Sequence, residues 1–109
     1  MSPQTTIFDL QAELCLAMGH SVRQQIVHLL HEGPKRVNAI AEELDIRQAT
    51  ASRHLAVLRN AGILSSTRHG TDIVYQIANP RITEICEMMR AVLAERANQR
   101  SGIFQNIQE

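Results

Sequence analysis

Apolar positions follow a helical step along most of this chain and an alternating step in one short stretch. Ile7, Leu10, Leu14 and Met18 fall three and four apart, with Phe8, Ala12 and Cys15 widening the stripe. That spacing predicts a helix over residues 6–18, stopped near Gly19. Ser21 and Gln24 have capping-box spacing ahead of Val22, Ile26, Leu29 and Leu30, a second helix ended by Gly33 and Pro34. Val37, Ile40, Ala41 and Leu44 give a short third helix with Glu42 and Glu43 outside, and Asp45 with Ile46 makes a turn. Across Gln48–Asn60, Ala51, Leu55 and Leu58 point inward, and Gly62 suits a left-handed cap. Residues 63–67 and 72–77 then read as two strands around His69, Gly70 and Thr71. Asn79 as cap and Pro80 as first helical residue open a last helix, with Ile82, Ile85, Cys86, Met89, Val92 and Leu93 on one broad face. Beyond Ala94 the pattern decays.

The expected fold class is mainly α with a small β-hairpin wing, a winged helix-turn-helix. Residues 1–98 form its domain, and 99–109 a C-terminal tail of uncertain order. A chain of 109 residues supports one domain and one core. Phe8, Tyr75 and Phe104 are its only aromatic residues, so aliphatic helix faces must supply most of the burial. The first and last helices carry stripes wider than such a core absorbs, which predicts a homodimer formed by those two helices.

Charge changes the picture because it is segregated. Formal net charge is zero, with 11 basic and 11 acidic residues, so the chain as a whole does not attract a polyanion. Yet no acid occurs between Asp45 and Asp72, whereas Arg47, Arg53, Arg59 and Arg68 all fall there, together with His54 and His69. A short helix and a glycine-tipped hairpin sharing a local positive field have the shape and charge that a winged helix brings to DNA.

Other chemistry is thin. No Ser, His and Asp arrangement, glycine-rich phosphate loop or HExxH motif is present, which argues against an enzyme, and no cofactor is expected. The two cysteines, Cys15 and Cys86, are too few and too far apart for a disulfide framework or a CxxC site, which fits a cytoplasmic protein. No apolar run approaches a membrane span, so no membrane partner is expected. His28 and His31 are three apart but lack a third ligand, and two solvated imidazoles explain them better than a metal.

The runs Ala17-Met18-Gly19-His20-Ser21-Val22-Arg23, Ala41-Glu42-Glu43-Leu44 and Thr50-Ala51-Ser52-Arg53-His54-Leu55, with Leu58-Arg59-Asn60-Ala61-Gly62-Ile63-Leu64, resemble the ArsR/SmtB family of winged-helix bacterial repressors. The resemblance covers roughly residues 8–95 and is most specific from Ser52 to Gly62. It implies that the helix from Gln48 enters the major groove of a palindromic double-stranded operator. Gln48, Thr50, Ser52 and Arg53 then read bases, with Gln suited to adenine and Arg to guanine. Arg68 and His69 at the wing are expected at phosphates or the minor groove, and Arg59, outward on the same helix, is counted among the DNA-binding residues. His54 is divided between phosphate contact and packing. Arg47 stands where the family usually has a Ser or Thr cap, which exchanges a cap for a phosphate contact.

Repressors of this family are released by an effector. Metal ligands are missing where the metal-sensing members hold them, since residues 37–44 contain no Cys and residues 79–100 no His, so no metal site is assigned. The family's sulfide sensors use two cysteine positions that align here with His28 and Ala94. That leaves Cys15 and Cys86, both on apolar faces, as candidates for redox or reactive-sulfur control, against two inert buried thiols. Two alternatives stay open: a winged-helix module that docks another protein, and a metal-responsive repressor.

Overall fold

In a computed structural model of the protein, residues 4–99 are described. The chain divides into two compact units, Met1–Asn79 and Pro80–Glu109.

The first unit opens with α1 (Ile7–Met18) and α2 (Ser21–Leu30). Thr6 caps α1: its side chain accepts from the Asp9 N–H at 3.1 Å, and the Asp9 carboxylate accepts from the Thr6 N–H at 2.9 Å. This reciprocal pair is the capping box of the chain. The box expected at Ser21 and Gln24 does not form. Ser21 is already helical, and the cap is His20, whose Nδ1 accepts from the Val22 N–H at 3.2 Å. Gln24 is drawn elsewhere, its Nε2 donating to the Met18 carbonyl at 2.7 Å. The last turn of α1, where carbonyls lack helical partners, is therefore capped by the first turn of α2.

A strand absent from the expectation follows: β1 (Lys35–Arg36). Only two residues long, it has no alternation to display. Next come α3 (Val37–Leu44) and α4 (Gln48–Asn60), the two helices of the helix-turn-helix, with bounds as expected. Asp45 ends α3 in the left-handed conformation at φ 55°. Gly62 ends α4 at φ 80°, where the Gly62 N–H reaches the Arg59 carbonyl at 3.0 Å and the Ile63 N–H that of Leu58 at 3.0 Å. That pair of bonds is the Schellman closure, which favours a residue without Cβ.

The wing is β2 (Leu64–His69) and β3 (Asp72–Ile77), antiparallel, with His69 opposite Asp72. His69 thus belongs to the strand, and the turn is Gly70 and Thr71 alone. Gly70 has φ 66°, and Thr71 has no positive φ, a combination that fits a type II′ hairpin turn. With β1 the strands form a three-stranded sheet ordered β1-β3-β2, in which Lys35 faces Tyr75 and Arg36 faces Val74.

Helices and sheet close over one core. Ile26, Val27 and Leu30 of α2, Ile40 of α3, and Ala51, Leu55 and Leu58 of α4 are buried, and Ile63, Leu64 and Tyr75 join them from the wing side. Every inward position expected on α4 is buried, so the residues between them must face outward.

The second unit is α5 (Arg81–Gln99). It opens one residue later than expected, with the Thr83 N–H reaching back to the Pro80 carbonyl at 3.1 Å. It also continues past Ala94, where periodicity fades but Glu95, Arg96 and Gln99 remain good helix formers. The expected tail thus starts on the last helical residue, and residues 100–109 lie outside the described residues. Of the broad face expected on α5, Ile82 and Cys86 are buried, whereas Ile85, Met89, Val92 and Leu93 are exposed.

Candidate nucleic-acid interface

The outward face of α4 is built by what its inward face requires. With Ala51, Leu55 and Leu58 fixed in the core, Gln48, Ser52, Arg53 and Arg59 emerge exposed, and Thr50 is half-buried. Arg47 precedes the helix with extended backbone and makes no side-chain cap bond. First-turn N–H groups of α4 therefore lack a side-chain acceptor and carry the positive end of the helix dipole toward solvent. The cap expected to be poor is poor. Arg36, at the head of α3, likewise makes no side-chain cap bond.

Arg68 and His69 are exposed near the tip of the wing, in the same compact unit as α4. The His69 ring nitrogen Nε2 lies 3.2 Å from the Thr67 hydroxyl, which steadies the ring along β2. Asp72, the first acid after the gap, is met by Arg36, with Nε 3.3 Å from Oδ2. Sequence reading gave Arg36 no role because it lies outside the acid-free window, and only strand pairing carries it to the hairpin. Lys35 beside it is held by Glu32 and Glu43, each at 3.4 Å.

His54 stands apart from the exposed set. It is partly buried, its ring 4.5 Å from that of His20, and its Nδ1 is 3.4 Å from Nη1 of Arg23. Burial first, then the positive charges of His20, Arg23 and Arg53, push its pKa below the ordinary 6.5. The structure therefore gives His54 partners inside the protein, the packing side of the expectation.

Both thiols are free; Cys15 is exposed on α1, and Cys86 is buried in α5. Burial pushes the Cys86 thiol up, with Glu87 adding to the rise and Arg90 opposing it. The pair expected to be alike thus differs. His28 and His31 are exposed, and no cluster of three or more His, Cys, Asp or Glu that could hold a metal occurs among the described residues. Among those residues no helix is long and apolar enough to cross a membrane.

Residues 20–66 match the model of the arsR family of bacterial regulatory proteins. The transcriptional repressor PagR of Bacillus anthracis is 33% identical over 82 residues, covering 74% of this chain and 82% of PagR. The chain belongs to the arsR family. A crystal structure of an HTH-type transcriptional regulator of Mycobacterium tuberculosis superposes with a TM-score of 0.78 at 31% identity, covering 92% of this chain and 98% of that one. The homodimeric winged helix-turn-helix DNA-binding domain of a Mycobacterium bovis protein, solved by NMR, gives a TM-score of 0.76 at 29% identity, covering 87% and 92%. This arsR-family chain is a transcriptional regulator with a DNA-binding winged helix-turn-helix, and its relatives are regulators, not enzymes. The family match spans all of α4 and the first residues of β2, and it begins at His20, the cap of α2.

Proposed function

We propose that the protein is a dimeric repressor that binds a palindromic operator, reading bases with Gln48, Thr50, Ser52 and Arg53 and holding phosphates with Arg47, Arg59, Arg68 and His69. The observation that carries this reading is that the outer face of α4 and the wing expose Arg53, Arg59 and Arg68 from a single compact unit, while Asp72, the acid at the wing, is paired with Arg36. Such a surface suits a groove and its flanking phosphates, with base contacts at the N-terminal half of the helix and backbone contacts around them. Homodimerisation draws support from the M. bovis neighbour and from the exposed apolar faces of α1 and α5, including Phe8, Leu16 and Met88. Two copies of the helix related by a two-fold axis meet adjacent major grooves, hence the palindrome.

For release by an effector, thiol chemistry has the exposure of Cys15 in its favour and the raised Cys86 thiol against it, because thiolate is the reactive form. Operator affinity measured before and after mild oxidation decides whether either thiol matters. The DNA reading itself is tested by selecting bound duplexes from a random pool and measuring affinity across salt. A palindromic consensus and a steep loss of affinity with salt are expected, whereas a protein-docking module gives neither. Arg53→Ala then relaxes preference at one base position by about 1–3 kcal/mol, while Arg68→Ala weakens binding to all sequences alike.

A further inference from the structure

Arg23 ties together three helices of the DNA-reading unit. From α2, its Nε donates to the Ala17 carbonyl at 2.6 Å and its Nη2 to the Leu16 carbonyl at 3.5 Å, both in the last turn of α1. Its Nη1 lies 3.4 Å from Nδ1 of His54 on α4. A guanidinium can only donate, so this contact fixes the ring: Nδ1 accepts, and the proton of the neutral imidazole sits on Nε2. His20 is bound by the same requirement, because its Nδ1 accepts from the Val22 N–H.

The charged groups acting on the His54 ring are Arg23 from α2 and Arg53 from α4, with the His20 ring beside it. Glu43 of α3 is paired with Lys35. Among the described residues, no hydrogen bond or ion pair joins an acid to either ring.

We propose that Arg23 positions the reading helix by joining the carbonyl end of α1 to His54, and that protonation of His54 undoes this join, so that operator affinity falls in acid. The idea rests on the DNA-binding reading above. A proton arriving at Nδ1 of His54 sets donor against donor and places a second cation beside Arg23. His54 directly follows Arg53, and bidentate base contacts tolerate little displacement, so a small movement of α4 is felt first as lost sequence reading.

The test pairs the free protein with the complex. In the free protein at pH 7.5, the ring nitrogens of His20 and His54 should both show the Nε2-protonated tautomer by 15N NMR. Exchange of α4 amides, corrected for intrinsic rates, should quicken below about pH 6.5 in the wild type but not in His54→Gln, which keeps an acceptor without titrating. On the selected operator, the affinity of His54→Gln relative to wild type should rise about five- to tenfold between pH 7.5 and 5.5, a modest site-to-site coupling. His28→Gln and His31→Gln should keep the wild-type profile. Arg23→Lys, gentler than Arg23→Ala, should lower affinity at pH 7.5 and flatten the acid response. A constant affinity ratio, an Nδ1-protonated ring, or α4 exchange indifferent to acid overturns the proposal. Should no operator be selected while α4 exchange still follows His54, the clamp stands and the DNA reading falls.

Discussion

Arg36 and Asp72 meet across the edge of the wing, Nε to Oδ2 at 3.3 Å, although 35 positions of sequence, from residue 37 to residue 71, separate them. Antiparallel pairing of β1 with β3 brings them together. The pair cancels the acid that closes the positive window, so the field of Arg68 reaches the tip of the hairpin unopposed.

Replacing Asp72 with Asn should therefore help binding. With the carboxylate gone, Arg36 is uncompensated, and affinity for every DNA sequence should rise at low salt. If Arg36 reaches a phosphate, the slope of log affinity against log salt should steepen by about 1. Folding stability should hardly change, because both side chains are about half exposed and such pairs contribute little. Titrations at several salt concentrations give the slope, and an unaltered slope shows that this edge of the wing stays clear of the backbone.

Much of this architecture is written in residue spacing. Ala51, Leu55 and Leu58 fix both the bounds and the facing of α4, and Gly62 with Gly70 marks its end and the hairpin turn, because each position makes a demand that few residues meet. What spacing hides is decided by partners distant in sequence. Ser21 and Gln24 have the letters of a capping box, but the Met18 carbonyl claims Gln24 and His20 supplies the cap. The capping box that forms uses Asp9, which the usual Glu or Gln pattern passes over. β1 is too short for a periodic signal, so spacing alone does not reveal that Arg36 reaches the wing. The exposed side of α4 was legible as a complement of its core side, whereas the join between Arg23 and His54, 31 residues apart, left no local trace.

Gly62→Ala isolates a backbone effect. Nothing lies within 4 Å of an added Cβ, so only the positive φ of 80° opposes the substitution. The expected cost is about 1–2 kcal/mol, a fall in melting temperature of roughly 4–8 °C per kcal/mol for a domain of this size. Base preference, measured well below the melting point, should be unchanged. A loss of stability much larger than this would mean that the turn into β2 shifts as well.

Acid should weaken the fold through His54. Its pKa in the folded protein lies below 6.5, so the unfolded chain binds the proton more readily. The stabilisation is complete above about pH 6.5 and is lost as pH falls through the lower folded value. Asp9, also lowered, chiefly by its bond to the Thr6 N–H and then to the hydroxyl, behaves in the same sense but only below its ordinary 3.8. Urea denaturation between pH 7.5 and 5 separates the two: in that range the wild type should lose stability and His54→Gln should lose less. Equal losses would assign the acid effect to other groups.

Helices α1 and α5 each leave large apolar side chains in water, Phe8 at 75% and Leu16 at 74% on the one, Met88 at 70% on the other. Exposure on this scale, shared by Ile7, Ile85 and Val92, is what the proposed homodimer would cover with a second copy. Phe8→Glu and Met88→Glu introduce a charge that an exposed position tolerates and an interface does not. Each should leave helical content intact while sedimentation shifts toward the monomer. Affinity for the full palindrome should drop by about a hundredfold or more, since each half-site then binds without the effective concentration supplied by its twin. Binding to an isolated half-site should be unaffected, which separates loss of pairing from damage to α4. If Met88→Glu alone dissociates the pair, α5 carries the interface and the α1 face serves something else.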